Sequence, residues 1–227
     1  MTVLTHGQLE ALRAIDTPTV CNAIETFDVR GRIEGFCGMD IRCLLPRLGT
    51  MVGYAVTVTV DSTTPGVKPD SAAWRAWLTA MEQSPKPGVL VFKDVGPHPR
   101  NSAHIGEVMG TISRRLGMVG IVTDGGVRDI IELDRLGLHC FAPGLTPSHG
   151  NPRLIEVGVP VCLDGVWITP GDLLHGDANG VTTIPLVIAD RVAEAAQSVR
   201  EREAAAMDYY SGPDFTIDGA VRLYEGH

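Results

Sequence analysis

The apolar residues of this chain fall into two rhythms, and the switches between them mark its elements. In 106–116 (GEVMGTISRRL) apolar side chains occur at Val108, Met109, Ile112 and Leu116, one face of a 3.6-residue helix. Arg114 and Arg115 suit the negative pole at its end, and Gly117 is a stop signal. The continuous apolar run 118–123 (MVGIVT) predicts a buried strand, Asp124-Gly125-Gly126 a turn, and 127–137 a second helix ending at Gly137. The same reading predicts helices over 6–15 and 18–27, the second capped by Asp16 or Thr17 with Pro18 in its first turn. Further helices are expected over 71–83 and from about 188 to 207. Strands are expected over 52–60, 89–93, 138–142 and 159–163, with 182–185 as a further short segment. Asp164-Gly165 reads as a hairpin turn between 161–163 and 166–168. Segments 28–50, 60–70 and 94–105 read as loops, and the tail from Ser211 shows no clear period. Trp74, Trp77, Leu78 and Met81 form one stripe, read as core or subunit contact before an aromatic ligand box. Alternating strands and helices without linker or repeat predict a single α/β domain spanning 1–227.

Composition narrows the partners. A formal charge of −8 over 227 residues argues against nucleic acid or an anionic membrane, which call for basic patches. A small acidic substrate remains compatible, because one local arginine can meet it. Five cysteines without a CxxC spacing read as buried thiols in a reducing compartment. The first residues carry no signal-peptide pattern and no apolar run reaches spanning length, so a cytoplasmic protein is expected.

The candidate chemistry sits in 106–129. Glu107 and the pair Arg128–Asp129 are separated by a helix and a strand, which places an acid at the start of each of two helices. Carboxylates are favoured there and stay ionised. In open α/β sheets ligands bind where strands feed helices. Two carboxylates and a guanidinium gathered there can hold a divalent cation and an anionic substrate; helix-start acids with a surface arginine are the plainer alternative. His98 and His104 read as loop residues, and no HExxH or CxxC spacing supports zinc. Asp177-Ala178-Asn179-Gly180 lacks the downstream glutamate of a calcium loop and reads as a turn, and no phosphate-loop motif follows Gly125-Gly126.

The segment resembles the signature of the RraA-like family, which holds class II 4-hydroxy-4-methyl-2-oxoglutarate/4-carboxy-4-hydroxy-2-oxoadipate aldolases and regulators of ribonuclease activity. The matching residues are Gly106-Glu107-Val108, then Gly120 through Arg128-Asp129, and Glu132. Gly53-Tyr54-Ala55-Val56-Thr57, Pro87 to Val91, and Pro170-Gly171-Asp172 with Gly176 to Val181 extend the resemblance over roughly 15–205. It implies a swivelling β/β/α fold and a homotrimer or homohexamer with sites between subunits. It implies Asp129 as the direct ligand of Mg²⁺ or Mn²⁺, Glu107 acting through a metal-bound water, and Glu132 as a weaker candidate ligand. Arg128 would contact the 2-oxo acid, and Gly106 with the N–H groups of Val108 and Met109 would cradle its carboxylate. Glu203 is the loose match to a glutamate that reaches a neighbouring subunit's site. The implied activity is a metal-dependent aldolase releasing pyruvate, with oxaloacetate decarboxylation through the same enolate. The alternative is a non-catalytic, protein-binding regulator. Three departures stand out: Glu107 where many aldolases carry Asp, the tryptophan-bearing segment 61–86, and Phe92-Lys93-Asp94; the last two leave the far end of the substrate pocket open.

Overall fold

Each of the first two helices begins on a side-chain cap. In α1 (His6–Arg13) Thr5 and Gln8 form a reciprocal capping box. In α2 (Thr17–Glu25) Asp16 accepts the N–H of Thr19 at 2.9 Å, with Pro18 in the first turn. The computed structural model describes residues 3–66 and 70–225. After the capped helices come β1 (Arg42–Cys43), a 3-10 turn (Pro46–Leu48), β2 (Met51–Asp61), α3 (Ser71–Gln83) and β3 (Gly88–Asp94). A second 3-10 turn (Pro99–Asn101), β4 (Ala103–Ile105), α4 (Glu107–Arg115), β5 (Met118–Thr123), β6 (Gly126–Val127), α5 (Ile130–Arg135) and β7 (His139–Ala142) follow. The chain ends with β8 (Arg153–Val157), β9 (Val161–Leu163), β10 (Val166–Ile168), β11 (Leu173–Asp177), β12 (Gly180–Ile184), α6 (Val192–Ser211) and α7 (Ile217–Glu225).

The long strand β2 organises the main sheet, whose order is β1-β7-β5-β3-β2-β11-β12, with β8 also on β2. Strands β2, β3, β5 and β7 run parallel. On its other edge β2 pairs antiparallel with β11 over Met51–Tyr54 and with β8 over Val58–Asp61. All eleven β2 residues are buried, as expected of a strand covered on both faces. Alternation sorts its side chains. Val52 and Tyr54 pack under α1, α2 and α6, whereas Val56, Val58 and Val60 continue the same face under α3, α4 and α5 with Trp77, Leu90 and Leu133. Met51 and Ala55 point the other way, toward Val89, Val91, Phe141 and the β9–β10 hairpin.

The carboxyl ends of β2, β3 and β5 therefore converge on the start of α4, and the differences from the sequence expectation cluster around that point. The second signature helix begins three residues late. Gly126 and Val127 pair with β4 instead, and Asp129 takes a left-handed conformation (φ 55°) before α5. The 94–105 loop supplies β4, and His104 on it is buried rather than a loop residue. The strand β8 escapes the pattern because an edge strand with a register shift opposite Thr59/Val60 has no clean alternation. In β11 the polar His175 and Asp177 hide a fully buried strand; His175 is satisfied by Thr17 Oγ1 and the Leu12 carbonyl, each at 3.0 Å. Trp77 and Met81 are core, while Trp74 stays 38% exposed. The tail holds the amphipathic α7, whose Ile217, Val221 and Tyr224 face solvent. The hairpin turn is as expected, with Asp164 and Gly165 both at positive φ. Cys140 is buried and the other four thiols are half-buried; burial raises Cys37 and Cys140 to about 12. Among the described residues no helix is long and apolar enough to cross a membrane.

One buried group couples the sheet to pH. Burial pushes the His139 imidazole down to about 4, and the Arg13 and Arg114 charges add to the shift. Its folded value thus lies below the unfolded one of about 6.5, so the unfolded chain binds the extra proton between these values. Stability should be full above about pH 6.5 and fall toward pH 4, by on the order of 3 kcal/mol. Urea unfolding at pH 7 and pH 4.5 checks this; in His139→Leu the loss between the two pH values should be smaller.

Candidate active site

The start of α4 is built by residues from three places. Gly106 is the N-cap and has no side chain to offer the orphan N–H groups of the first turn. Asp129 supplies one instead: its Oδ2 accepts the Glu107 N–H at 2.9 Å. The carboxylate therefore caps α4, not α5, on which it sits as a left-handed N-cap without a side-chain bond to that helix. Parallel pairing of β4 with β6 and the Arg128 N–H bond to the Ile105 carbonyl (3.0 Å) fix this crossing. A β-carbon on Gly106 would lie 2.4 Å from Asp129 Oδ2 and 3.0 Å from Arg128 Nε, so only glycine permits the approach. Arg128 Nε lies 3.6 Å from Asp129 Oδ2, and both side chains keep about a third of their surface exposed, at 34% and 38%. Among the described residues no acceptor reaches the N–H groups of Val108 and Met109.

A cavity of about 350 Å³ opens beside this helix start. Gly106, Met109 and Arg128 border it, with Val60, Phe92, Ala103, Ile105, Trp74, Pro152 and Leu154 as apolar wall and Ser62, His104, His149 and Arg153 as polar positions. Its floor is a buried polar network at the carboxyl ends of the parallel strands. Asp94 accepts hydrogen bonds from Ser62 Oγ and the Gly96 N–H, and its Oδ2 lies 2.9 Å from His104 Nε2. The other ring nitrogen of His104 meets Thr123 Oγ1 at 2.6 Å. Burial raises the Asp94 carboxyl, but the bonds from His104, Ser62 and Gly96 outweigh it and hold the group below the usual carboxylate range. Asp124, after β5, ties the floor together by accepting the Asp94 N–H at 2.9 Å and pairing with Lys93.

The structure brings Gly106, Met109, Arg128, Asp129 and the backbone of Glu107 together at the start of α4. The Glu107 carboxylate is exposed, Val108 contributes only its backbone, its side chain being 79% exposed, and Glu132 lies in the first turn of α5. Among the described residues no three His, Cys, Asp or Glu side chains close into a metal-binding cluster. Glu203 stands elsewhere in the chain: it accepts a bond from Asn22 Nδ2 at 3.1 Å and lines a separate cavity with Arg32 and Arg202. Sequence reading missed the floor. Ser62, Asp94, His104 and Thr123 have no local motif and meet only through the pairing of β2, β3 and β5, in which Val60 faces Asp94 and Phe92 faces Thr123.

Comparison with known proteins gives the same frame. The family model RraA-like (Aldolase/RraA) matches residues 17–183. A Halalkalibacterium halodurans protein, provisionally named 4-hydroxy-4-methyl-2-oxoglutarate aldolase, is 37% identical over 111 residues, 48% of this chain and 52% of that protein. An uncharacterised Methanocaldococcus jannaschii protein is 33% identical over 115 residues, 50% of this chain and 55% of its own. The matches thus span about half the length of these curated relatives. Among solved structures, an uncharacterised Pseudomonas syringae protein superposes with a TM-score of 0.75 at 24% identity, covering 98% of this chain and 96% of that one. Streptomyces coelicolor RraAS2, described as an unusual member of the RNase ES inhibitor RraA family, gives 0.70 at 22%, covering 91% and 98%. At those identities the likeness shows the fold: an α/β chain of the RraA type.

The cap across the two helices makes a direct prediction. Gly106→Ala should leave the far-ultraviolet circular dichroism unchanged yet push the Asp129 carboxylate off the Glu107 N–H. Amide hydrogen exchange at Glu107 should quicken, while amides in the β2–β3–β5 core keep their protection.

Proposed function

We propose that this chain, which belongs to the RraA-like (Aldolase/RraA) family, is a divalent-metal-dependent carbon–carbon lyase that cleaves 4-hydroxy-2-oxo acids to pyruvate. One observation carries the reading: an accessible arginine and carboxylate, Arg128 and Asp129, stand 3.6 Å apart at a helix start that borders a cavity of about 350 Å³. A 2-oxo acid brings a carboxylate and a carbonyl oxygen side by side. The free N–H groups of Val108 and Met109 and the positive end of α4 suit the carboxylate. Arg128 suits the carbonyl oxygen, where negative charge develops.

In the reaction the C3–C4 bond breaks and the C4 hydroxyl gives up its proton, so C4 leaves as a carbonyl compound. The electron pair of the broken bond moves into C2–C3, the enolate of pyruvate forms, and C3 then takes up a proton. Oxaloacetate decarboxylation passes through the same enolate, with carbon dioxide leaving instead. The guanidinium of Arg128 offsets the enolate charge in a partly enclosed site, where electrostatic stabilisation counts most. Mg²⁺ or Mn²⁺ would add Lewis-acid polarisation of the 2-oxo group. The donor set fits a hard cation of this kind: Oδ2 of Asp129 is held by the Glu107 N–H, whereas Oδ1 makes no bond among the described residues. Exposed Glu107 is the second carboxylate at the site, and its extra methylene relative to Asp sets its reach. Glu132, in the next turn, is the weaker third.

The proposed assembly is a homotrimer or homohexamer, in which Glu203, remote from Arg128 in its own chain, would approach a neighbouring copy. A concave cavity with convergent polar groups, beside the paired Arg128 and Asp129, suits a small ligand, which favours the enzyme over a protein-binding regulator.

Steady-state kinetics test the reading. Arg128→Ala should lower kcat on oxaloacetate and on 4-hydroxy-4-methyl-2-oxoglutarate by on the order of 10²-fold or more. Asp129→Ala should abolish turnover that depends on Mg²⁺, and chelator should do the same to the wild type. Loss of the helix cap alone predicts only about 1 kcal/mol of stability and intact turnover. That outcome, or full wild-type activity in excess chelator, would refute the lyase.

A further inference from the structure

Two arginines border the cavity, and each meets an aspartate through one contact. Arg128 Nε lies 3.6 Å from Asp129 Oδ2. Arg153, directly opposite Asp61 in the pairing of β8 with β2, donates from Nη2 to Asp61 Oδ2 at 2.9 Å. That bond uses one corner of the guanidinium. Nε of Arg153 is shut off from solvent and has no acceptor among the described residues. Buried N–H groups rarely stay without a partner in folded proteins. The Arg153 side chain keeps 35% of its surface exposed and borders the cavity, whereas Asp61 is buried behind it. Asp61 does not depend on Arg153 alone, because its Oδ1 accepts the N–H groups of Thr63 at 3.2 Å and Thr64 at 3.0 Å. The other polar wall residues have spent their hydrogens. Ser62 gives its hydroxyl hydrogen to Asp94, His104 spans Asp94 and Thr123, and neutral His149 gives its Nδ1–H to the Gly150 carbonyl at 2.9 Å.

We infer that Arg153 is a specificity-determining residue of this site: it receives a second carboxylate at the end of the ligand away from the 2-oxo group, and so directs the site to 2-oxo dicarboxylates. The inference rests on the proposed reading of the Arg128 end as the 2-oxo acid site. The physical reason is an unfilled fork. A guanidinium presents its N–H groups in a plane that matches the two oxygens of a carboxylate, and such bonds are charge-assisted. A small turn of the side chain toward the cavity brings Nε to the ligand while Nη2 keeps Asp61. The Thr63 and Thr64 amides hold the Asp61 carboxylate in place as the guanidinium turns. Most of the remaining wall is apolar, with Val60, Phe92, Met109 and Leu154 against the carbon chain of the ligand. A carboxylate placed there loses its water, so it needs the donors that Arg153 has left over. A methyl group in its place leaves the Arg153 N–H unmet. The bond changes stay as above. The second carboxylate departs with C4, so the products are pyruvate and another oxo acid.

Equilibrium binding of unreactive probes to the full chain with Mg²⁺ tests the inference apart from turnover. Calorimetry would compare 2-oxoglutarate with 2-oxopentanoate, which has the same number of carbons and a methyl group in place of the second carboxylate. The wild type should bind 2-oxoglutarate at least about tenfold more tightly. Arg153→Lys keeps a cation opposite Asp61 but loses the fork, so it should erase most of that preference and leave 2-oxopentanoate binding unchanged. Arg153→Gln should do the same, with thermal melts to show that both variants are folded. Arg128→Ala should weaken both probes, which ties them to one site. If Arg153 served only to join β8 to β2, the affinity ratio in Arg153→Lys would equal that of the wild type. That result, the lack of a preference in the wild type, or no binding of 2-oxoglutarate would overturn the inference. If an Arg153-dependent preference holds but no 4-hydroxy-2-oxo dicarboxylate is cleaved, the lyase reading fails and the role of Arg153 stands.

Discussion

A carboxylate that belongs to one helix completes the start of another, and the candidate site depends on that bond. Asp129 reaches the Glu107 N–H because its own backbone is left-handed, because β4 pairs with β6 just before it, and because Gly106 leaves room. Remove any of the three and the carboxylate no longer faces α4. A left-handed aspartate is tolerated better than most residues but still carries strain. Here the strain is held by pairing on one side and a helix on the other. Its effect is to bring Arg128, Asp129 and the two free amides of α4 to one place.

Beneath that bond lies a floor of a different kind. Ser62, Asp94, His104 and Thr123 are buried, and each finds a partner in the others. Such a network is costly when partly satisfied and rigid when complete. Its members come from the carboxyl ends of three adjacent parallel strands and from β4, so it fixes where those strands stop. The general rule that ligands bind at the carboxyl ends of parallel strands has a concrete form here. Strand ends that cannot continue into apolar core end on polar side chains, and the space above them is left to a ligand.

How much of this was legible in the sequence follows from the range of each interaction. The helix α4, the strand β5 and the hairpin at Asp164-Gly165 are local patterns, and their periodicity or turn chemistry suffices. The Glu107…Arg128–Asp129 constellation was legible as a spacing, because one helix and one strand separate its parts. Its geometry was not, since an aspartate before an apolar run reads as the cap of its own helix. Asp94 and His104 were illegible for a stronger reason: nothing near them in the chain explains a buried acid or a buried imidazole, and only the register of β2, β3 and β5 does. The strand β11 was hidden by the same effect, because His175 looks like a surface residue until Thr17 and the Leu12 carbonyl are placed beside it. The α7 helix was overlooked although it is amphipathic, because its 9 residues after Gly212-Pro213 give a helical period too short a window to stand out.

The charges at the site connect an acidic chain to an acidic ligand. Glu107 and Asp129 bring two negative charges against the one positive charge of Arg128, which leaves the helix start negative despite the dipole of α4. A monoanionic 2-oxo acid would deepen that deficit, and a divalent cation would bring the whole set to neutrality. Coulomb interactions weaken with exposure and salt, so the Arg128–Asp129 pair acts most strongly on a ligand that displaces water from the cavity beside it. Under the proposed reading, recognition of a 2-oxo acid head falls to Arg128 and the amides at the start of α4.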